Sequence, residues 1–60
     1  MIARYVITDI DGNGYWSEQH RRFKDFIWTE QFDSEDELLK YAEKESVGVF
    51  KITKIYDSKS

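Results

Sequence analysis

The stretch Ser34–Gly48 reads SEDELLKYAEKESVG and has the features of one complete helix. Ser34 and Glu37 form a capping box, in which the serine hydroxyl accepts from the backbone of Glu37 and the glutamate side chain bonds back. Acidic residues fill the first turn, where they suit the positive end of the helix dipole. Gly48 predicts the helix end, because glycine adopts the left-handed cap conformation without steric penalty. The apolar side of this helix consists of Leu38, Leu39, Tyr41 and Ala42.

A strand and a tight turn are predicted ahead of this helix. Residues 2–10, IARYVITDI, are rich in β-branched and aromatic types, and Ala3, Tyr5 and Ile7 share one face at a period of two. Val6 interrupts the opposite, more polar face, so we expect that face to be partly covered. Asp11-Gly12-Asn13-Gly14 contains two dipeptides that accept positive φ, which predicts a chain reversal.

The remaining segments predict two more strands. Tyr15–Ser17 can begin a returning strand, and residues 18–24, which have no clear period, are expected to form a loop or an irregular extension of it. Residues 25–32 alternate again, with Phe26, Trp28 and Phe32 on one face, and are predicted as the second strand. Residues 49–56 are predicted as the third strand, and 57–60 as a frayed polar tail.

These elements predict a single α+β domain over residues 1–60, in the order β-β-α-β. A right-handed crossover through the helix brings the third strand beside the first and antiparallel to it. The expected fold is therefore a three-stranded antiparallel sheet with the first strand in the centre and one helix on one face. Nothing in the chain is predicted to cover the other face.

The composition excludes several classes of protein. The 60-residue chain has a net charge of -3 and no cysteine, which leaves no disulfide framework and no thiolate zinc site. No apolar run approaches the ~20 residues of a membrane span, and the N-terminus lacks a signal-peptide pattern. His20 is the only histidine, so one chain cannot form a multi-histidine metal site or a histidine-based triad. We therefore predict a cytoplasmic, non-enzymatic protein with no catalytic residues, metal or cofactor.

The segment Asp9–Gly14, DIDGNG, is similar to two ligand-handling patterns. It fits the start of an EF-hand calcium loop, but His20 stands where the bidentate glutamate belongs and no helix is predicted before the loop. It also resembles the opening of haloacid-dehalogenase-like phosphatases, although Asn13 replaces their threonine and the chain has no room for their later motifs. A hairpin turn with local side-chain bonding is the favoured interpretation.

Aromatic residues are in excess of what one small core can hide, since they make up 17% of the chain. Each strand carries apolar residues on both faces, so we expect the sheet face away from the helix to bind a second copy of the chain or another protein. The alternative is that Trp16 and Trp28 close this face within one chain. The predicted partner-binding residues are Trp16, Arg21, Arg22, Phe23 and Trp28.

The same region supports a second hypothesis, the binding of single-stranded nucleic acid. Arg21, Arg22, Phe23 and Lys24, near Trp16, combine positive charge with stacking surfaces. Residues 30–45 are strongly acidic while residues 20–29 and 46–60 are basic, so the chain is polarised. A solvated acidic helix face, with a basic loop that balances its charge, is the favoured explanation of this pattern over a binding role.

Residues 12–56 resemble small proteins encoded by phages and prophages of Firmicutes. The resemblance rests on Gly14-Tyr15-Trp16-Ser17-Glu18 after a strand, and on Phe32-Asp33-Ser34-Glu35-Asp36-Glu37-Leu38 before a Lys/Glu helix and a final Val/Ile strand. The Asp-Gly-Asn-Gly turn is richer than the pattern requires. The resemblance implies a protein that binds and disables a host protein, including a defence protein, in the cytoplasm of the bacterial host. A protein-binding module is therefore favoured over a nucleic-acid-binding accessory protein.

Overall fold

The computed structural model describes residues 2–57, which form one α-helix and a four-stranded antiparallel sheet. The strands are β1 (Ile2–Thr8), β2 (Tyr15–Ser17), β3 (Arg22–Lys24) and β4 (Lys51–Asp57), and the helix is α1 (Glu35–Glu45). The order across the sheet is β3-β2-β1-β4, so β1 is an interior strand and pairs antiparallel with β4, as expected. The predicted α+β class is confirmed, but the sheet has four strands rather than three and the element order is β-β-β-α-β rather than β-β-α-β.

The prediction of a second strand over residues 25–32 is wrong. The strand that returns beside β2 is Arg22–Lys24, within the segment expected to be a loop or an irregular extension of β2, and Phe26–Trp28 forms a short 3-10 helix. A β2–β3 hairpin is favoured because it sets Trp16 opposite Phe23, with their rings edge to face at 5.5 Å. From the predicted strand, Phe32 alone among the described residues pairs with the sheet, through an isolated bridge to Tyr5.

Four predicted boundaries also shift. β1 ends at Thr8 rather than Ile10, and β4 spans Lys51–Asp57 rather than 49–56. The rest of the predicted polar tail, 58–60, lies outside the described residues. The helix ends at Glu45, three residues before Gly48, because Ser46 takes the left-handed conformation with φ 54°. The Val47 N–H bonds to the Ala42 carbonyl at 3.1 Å and the Ser46 N–H to the Glu43 carbonyl at 3.3 Å. This is a Schellman motif whose apolar residue, Val47, packs on the core and so sets the helix end.

The core lies between α1 and one face of the sheet. Ile7, Trp16, Leu38 and Ala42 are buried together, and a ring of half-buried apolar side chains surrounds them. Side chains alternate along a strand, so Val6, Thr8, Tyr15 and Ser17 lie on the opposite face, called here the outer face. Val6, Thr8 and Ser17 are nevertheless buried. The expectation that nothing in the chain covers this face is therefore wrong for its centre.

The outer face is covered in part by the 3-10 helix. Phe26 packs edge to face on Tyr15 at 5.1 Å between ring centroids, and Trp28 packs on His20 at 5.0 Å. The chain has to cross β2 to travel from β3, at the edge of the sheet, to the Phe32 bridge beside β1. The crossing segment thus closes part of the face within one chain. Trp28 takes part in this closure, whereas Trp16 lies on the helix side.

The helix start is confirmed at Ser34, whose hydroxyl accepts from the Glu37 N–H at 3.2 Å. No return bond from the Glu37 side chain is present within residues 2–57, so only half of the predicted capping box forms. Replacing Ser34 with alanine is expected to lower the unfolding free energy by about 0.5–2 kcal/mol, since it removes this acceptor. A melting temperature lower by several degrees in circular dichroism would check this. Ser34→Asp, which keeps an acceptor, is the control, and equal melting of Ser34→Ala and the wild type would contradict it.

Candidate partner-binding surface

Two of the predicted partner-binding residues, Trp16 and Phe23, lie in or against the core. The Trp16 indole N–H donates to the Tyr41 hydroxyl at 3.1 Å, and the Trp16 ring is almost fully buried. Phe23 packs on this ring from β3 and is half-buried. These two side chains were predicted to form an exposed aromatic surface. In the structure they instead hold the β2–β3 hairpin against α1.

Arg21 joins the β2–β3 loop to the end of the helix. Its guanidinium forms an ion pair with the Glu45 carboxylate at 2.7 Å and donates to the Glu45 carbonyl at 2.9 Å. It also lies 5.9 Å from the centroid of the Trp16 ring. A cation on the last helical carbonyls suits the negative end of the helix dipole. Arg21 also adopts the left-handed backbone conformation, with φ 54°, in the loop between β2 and β3. Both its backbone and its side chain therefore contribute to the structure of this loop.

Arg22 and Lys24 remain on the outer face. They pair with Ser17 and Tyr15 of β2, which places them beside the 3-10 helix that packs on Tyr15. Arg4 and Lys51 lie on the same face by the register of β1 and β4, and Arg4 is bonded to Asp33 at 2.8 Å. The strands thus supply four basic residues to the face opposite a helix that begins with three acidic ones. Lys54, opposite Tyr5, lies on the helix side instead, so the polarity expected from the sequence follows the two sides of the sheet only in part.

The 3-10 helix Phe26–Trp28 presents three consecutive apolar side chains to solvent, and we call it the apolar turn. Phe26, Ile27 and Trp28 are 40%, 79% and 42% exposed. The turn is held by backbone bonds from Trp28 to Asp25 and from Thr29 to Phe26, both 3.0 Å long. The Thr29 hydroxyl donates to the Trp16 carbonyl at 2.9 Å and fixes the turn to β2. These bonds hold an apolar surface in one conformation without burying it.

Sequence reasoning found Trp28 in this surface but missed Phe26, Ile27 and their supports, Tyr15 and His20. One signal was available, because three adjacent apolar residues do not fit a strand with a single buried face. His20 is oriented by Ser17, whose hydroxyl lies 3.0 Å from Nδ1 and accepts from the His20 backbone N–H at 3.2 Å. Ser17 is fully buried. Its contact with His20 therefore closes the β2–β3 loop and positions the imidazole ring on which Trp28 packs.

The Asp9–Gly14 segment is the hairpin turn expected between β1 and β2. The Asp9 N–H bonds to the Gly14 carbonyl and the Gly12 N–H to the Asp9 carbonyl, both at 2.9 Å. Gly12 has φ 74°, and a Cβ on Gly14 would lie 3.0 Å from the Phe23 Cβ. Both positions therefore favour glycine over residues with a side chain. Strands rather than helices flank the loop. Within residues 2–57 no group of three or more metal-ligating side chains is placed to hold an ion.

A second apolar surface lies at the end of α1. A shallow groove of about 510 Å³ is lined by Leu39, Ala42, Glu43, Ser46, Gly48 and Phe50. Val49 is 75% exposed in the loop that borders this groove. The groove is on the helix side of the sheet, away from the apolar turn, so the two surfaces can be tested separately.

No protein-family model matches the sequence, and no match to a curated protein or to a solved structure was found. Within residues 2–57, no helix is both long and apolar enough to cross a membrane. The function is therefore argued from the surfaces described above.

Proposed function

We propose that this chain is a non-enzymatic protein-binding module and that the apolar turn Phe26–Trp28 is the centre of its binding surface. The observation that carries the proposal is the exposure of three adjacent apolar side chains on a turn that backbone hydrogen bonds and ring contacts hold in place. Large aromatic side chains supply much of the binding energy at protein interfaces. A turn that is ordered before binding loses little conformational entropy when a partner arrives.

The basic side chains around the turn give this surface a polar rim. Arg22 and Lys24 flank Tyr15 on the outer face, beside the Phe26 ring that packs on Tyr15. Charged groups at the rim of an interface affect the rate of association and the choice of partner more than the affinity. The resemblance to small phage proteins suggests that the partner is a host or phage protein in the bacterial cytoplasm and that binding inhibits it, a host defence protein being one such target.

The nucleic-acid alternative has less support. Of the residues on which it rested, Trp16 and Phe23 pack in or against the core and Arg21 is bonded to Glu45. Arg22, Lys24 and Trp28 remain on the outer face, which is a small platform for stacking bases. Protein binding is therefore the function we favour, and nucleic-acid binding is an outcome that the experiment can reveal.

The test is capture of partners from a Firmicute lysate by the immobilised chain and two variants. Ile27→Asp places a charge in the apolar turn, and Val49→Ser changes a comparably exposed residue on the helix side. Ile27 and Val49 are 79% and 75% exposed, so neither change should alter the melting temperature by much. We expect the wild type and Val49→Ser to retain the same protein, and Ile27→Asp to lose it.

Nuclease treatment of the lysate separates the two hypotheses. Retention of the partner after nuclease treatment supports direct protein binding, whereas its loss would indicate that nucleic acid is the ligand. Equal retention by Ile27→Asp and the wild type would overturn the assignment of the apolar turn.

A further inference from the structure

Within residues 2–57, the backbone groups on the outer edge of β4 have no strand partner, and the register identifies them. Tyr5 exchanges both backbone bonds with Phe32, at 2.9 and 2.8 Å, and the Asp9 N–H bonds to Gly14. The backbone groups of successive strand residues point to alternate sides. The odd-numbered residues of β1 therefore face the β2 side, and the even-numbered ones face β4.

The same alternation continues into β4. Arg4, Val6 and Thr8 are opposite Ile55, Thr53 and Lys51, so these odd-numbered residues of β4 bond to β1. Ile52, Lys54 and Tyr56 must then direct their N–H and C=O groups away from β1. The order β3-β2-β1-β4 places no strand of residues 2–57 on that side.

β4 is the exposed edge most open to a further strand. It has seven residues, whereas β3 at the opposite edge has three. An edge of this length is a template for another strand unless charge or a kink protects it. Lys54 is the one charged residue among the three that face outward, and Tyr56 beside it is 60% exposed.

We propose that β4 pairs antiparallel with β4 of a second copy of the chain, with Ile55 on the two-fold axis. Such pairing requires outward-facing residues to lie opposite each other, which leaves few registers. A register centred on Lys54 sets two ammonium groups opposite each other, which is unfavourable. A register centred on Thr53 sets Lys54 opposite Ile52, which packs on the core and offers no ring.

The register centred on Ile55 gives Lys54 a favourable neighbour. It sets Lys54 opposite the partner's Tyr56, and the Lys54 ammonium already lies 5.5 Å from the centroid of its own Tyr56 ring. Cations are attracted to aromatic faces at this distance. Ile55 meets the partner's Ile55 as a non-hydrogen-bonded pair, the closer of the two kinds of pair in an antiparallel sheet.

This assembly goes beyond the proposed function and has a consequence for it. The two-fold axis of an antiparallel edge pair is perpendicular to the sheet, so both helices lie on one side and both apolar turns on the other. A dimer would therefore present two copies of the binding surface in the same direction. Two linked sites raise the apparent affinity for a multivalent partner without any new contact.

The first test measures the amide hydrogen exchange of the whole wild-type chain by NMR at increasing concentration. We expect the Lys54 and Tyr56 amides to exchange quickly in dilute protein and at least about tenfold more slowly once the dimer forms. The Thr53 and Ile55 amides, which bond to β1, should be protected throughout. Exchange of Lys54 and Tyr56 that does not depend on concentration would overturn the proposal.

The second test measures the mass of variants by sedimentation equilibrium. Lys54→Pro removes an outward-facing N–H and no bond to β1, and proline is tolerated on the free side of an edge strand. Ile55→Glu places two like charges on the axis and should weaken the dimer at least about tenfold. Circular dichroism confirms that each variant is folded.

Lys54→Thr, which keeps the N–H but loses the contact of the ammonium with the partner's Tyr56, should dimerise more weakly than the wild type and more strongly than Lys54→Pro. Ile27→Asp, which alters the apolar turn, is the control expected to dimerise like the wild type. A wild-type chain that stays monomeric, or a folded Lys54→Pro that dimerises as the wild type does, would overturn the proposal. Loss of the dimer in Ile27→Asp would place the interface on the outer face instead.

Discussion

The Leu38→Ala variant is expected to be largely unfolded at room temperature. Leu38 is 0% exposed and packs with Ile7, Trp16 and Ala42 at the centre of the core. Truncating a buried leucine to alanine lowers the unfolding free energy by about 2–5 kcal/mol, because apolar contacts are lost and a cavity remains. A domain of this size without disulfides rarely has more than about 3–5 kcal/mol in total. One truncation can therefore remove most of its stability.

Leu39→Ala is the matched control for this prediction. It makes the same substitution in the same helix, but Leu39 is 48% exposed on the groove side. We expect a loss below about 1 kcal/mol, since little buried contact is removed. Urea unfolding followed by circular dichroism measures both variants. Similar losses for the two would show that α1 packs on the sheet with a different face.

The helix was predictable because its signals are local. The Ser34 cap, the acidic first turn and the apolar side all lie within one stretch of sequence. The structure keeps them apart from Leu39, which was predicted on the apolar side but is 48% exposed. The predicted helix end at Gly48 is wrong because the left-handed residue that caps the helix is Ser46. Val47 packs on the core, and this contact, which is not visible in the helix sequence, sets the Schellman motif at Ser46.

The strands after β1 depend on contacts between distant residues. The alternation of Phe26, Trp28 and Phe32 has the period of a strand but arises from three different contacts: with Tyr15, with His20 and with the edge of β1. β3 is only three residues long and is determined by the pairing of Phe23 with Trp16. A period of two over eight residues therefore cannot distinguish a strand from a segment that crosses a sheet.

The candidate site was predictable only in part, because the burial of its side chains also depends on contacts between distant residues. Arg22 and Trp28 are on the outer face as a binding role requires, while Trp16 and Phe23 pack in or against the core and Arg21 bonds to Glu45. Residue type alone made these five equivalent, because aromatic residues are common in interfaces and in cores, and arginine is common in interfaces and in ion pairs. The register of β2 and β3 separates Trp16 and Phe23 from Arg22, whereas the bonds of Arg21 to Glu45 and the 3-10 helix that holds Trp28 are not visible in the sequence pattern.

Tyr41→Phe is expected to destabilise the domain by about 1–3 kcal/mol through the loss of a single oxygen atom. The Tyr41 hydroxyl accepts from the Trp16 indole N–H at 3.1 Å, and Trp16 is almost fully buried. Removing the acceptor leaves a buried donor without a partner, which costs more than the bond itself contributes. The Phe32 ring, 5.1 Å from Tyr41, keeps its contact with the new phenyl ring. Tyr56→Phe, at an exposed position, is the control and should leave stability unchanged.

The same side chain makes part of the unfolding free energy sensitive to alkaline pH. Burial raises the pKa of Tyr41 above 10.0, more than the Trp16 hydrogen bond lowers it, and nearby glutamates add to the rise. The unfolded chain loses this proton first, so the contribution is fully present below pH 10.0 and is lost as the pH rises through the folded-state pKa. We therefore expect the difference in unfolding free energy between the wild type and Tyr41→Phe to be largest near neutral pH and to shrink in strongly alkaline buffer. Urea unfolding at both pH values measures it, and a constant difference would show that Tyr41 ionises equally easily in the folded and unfolded chains.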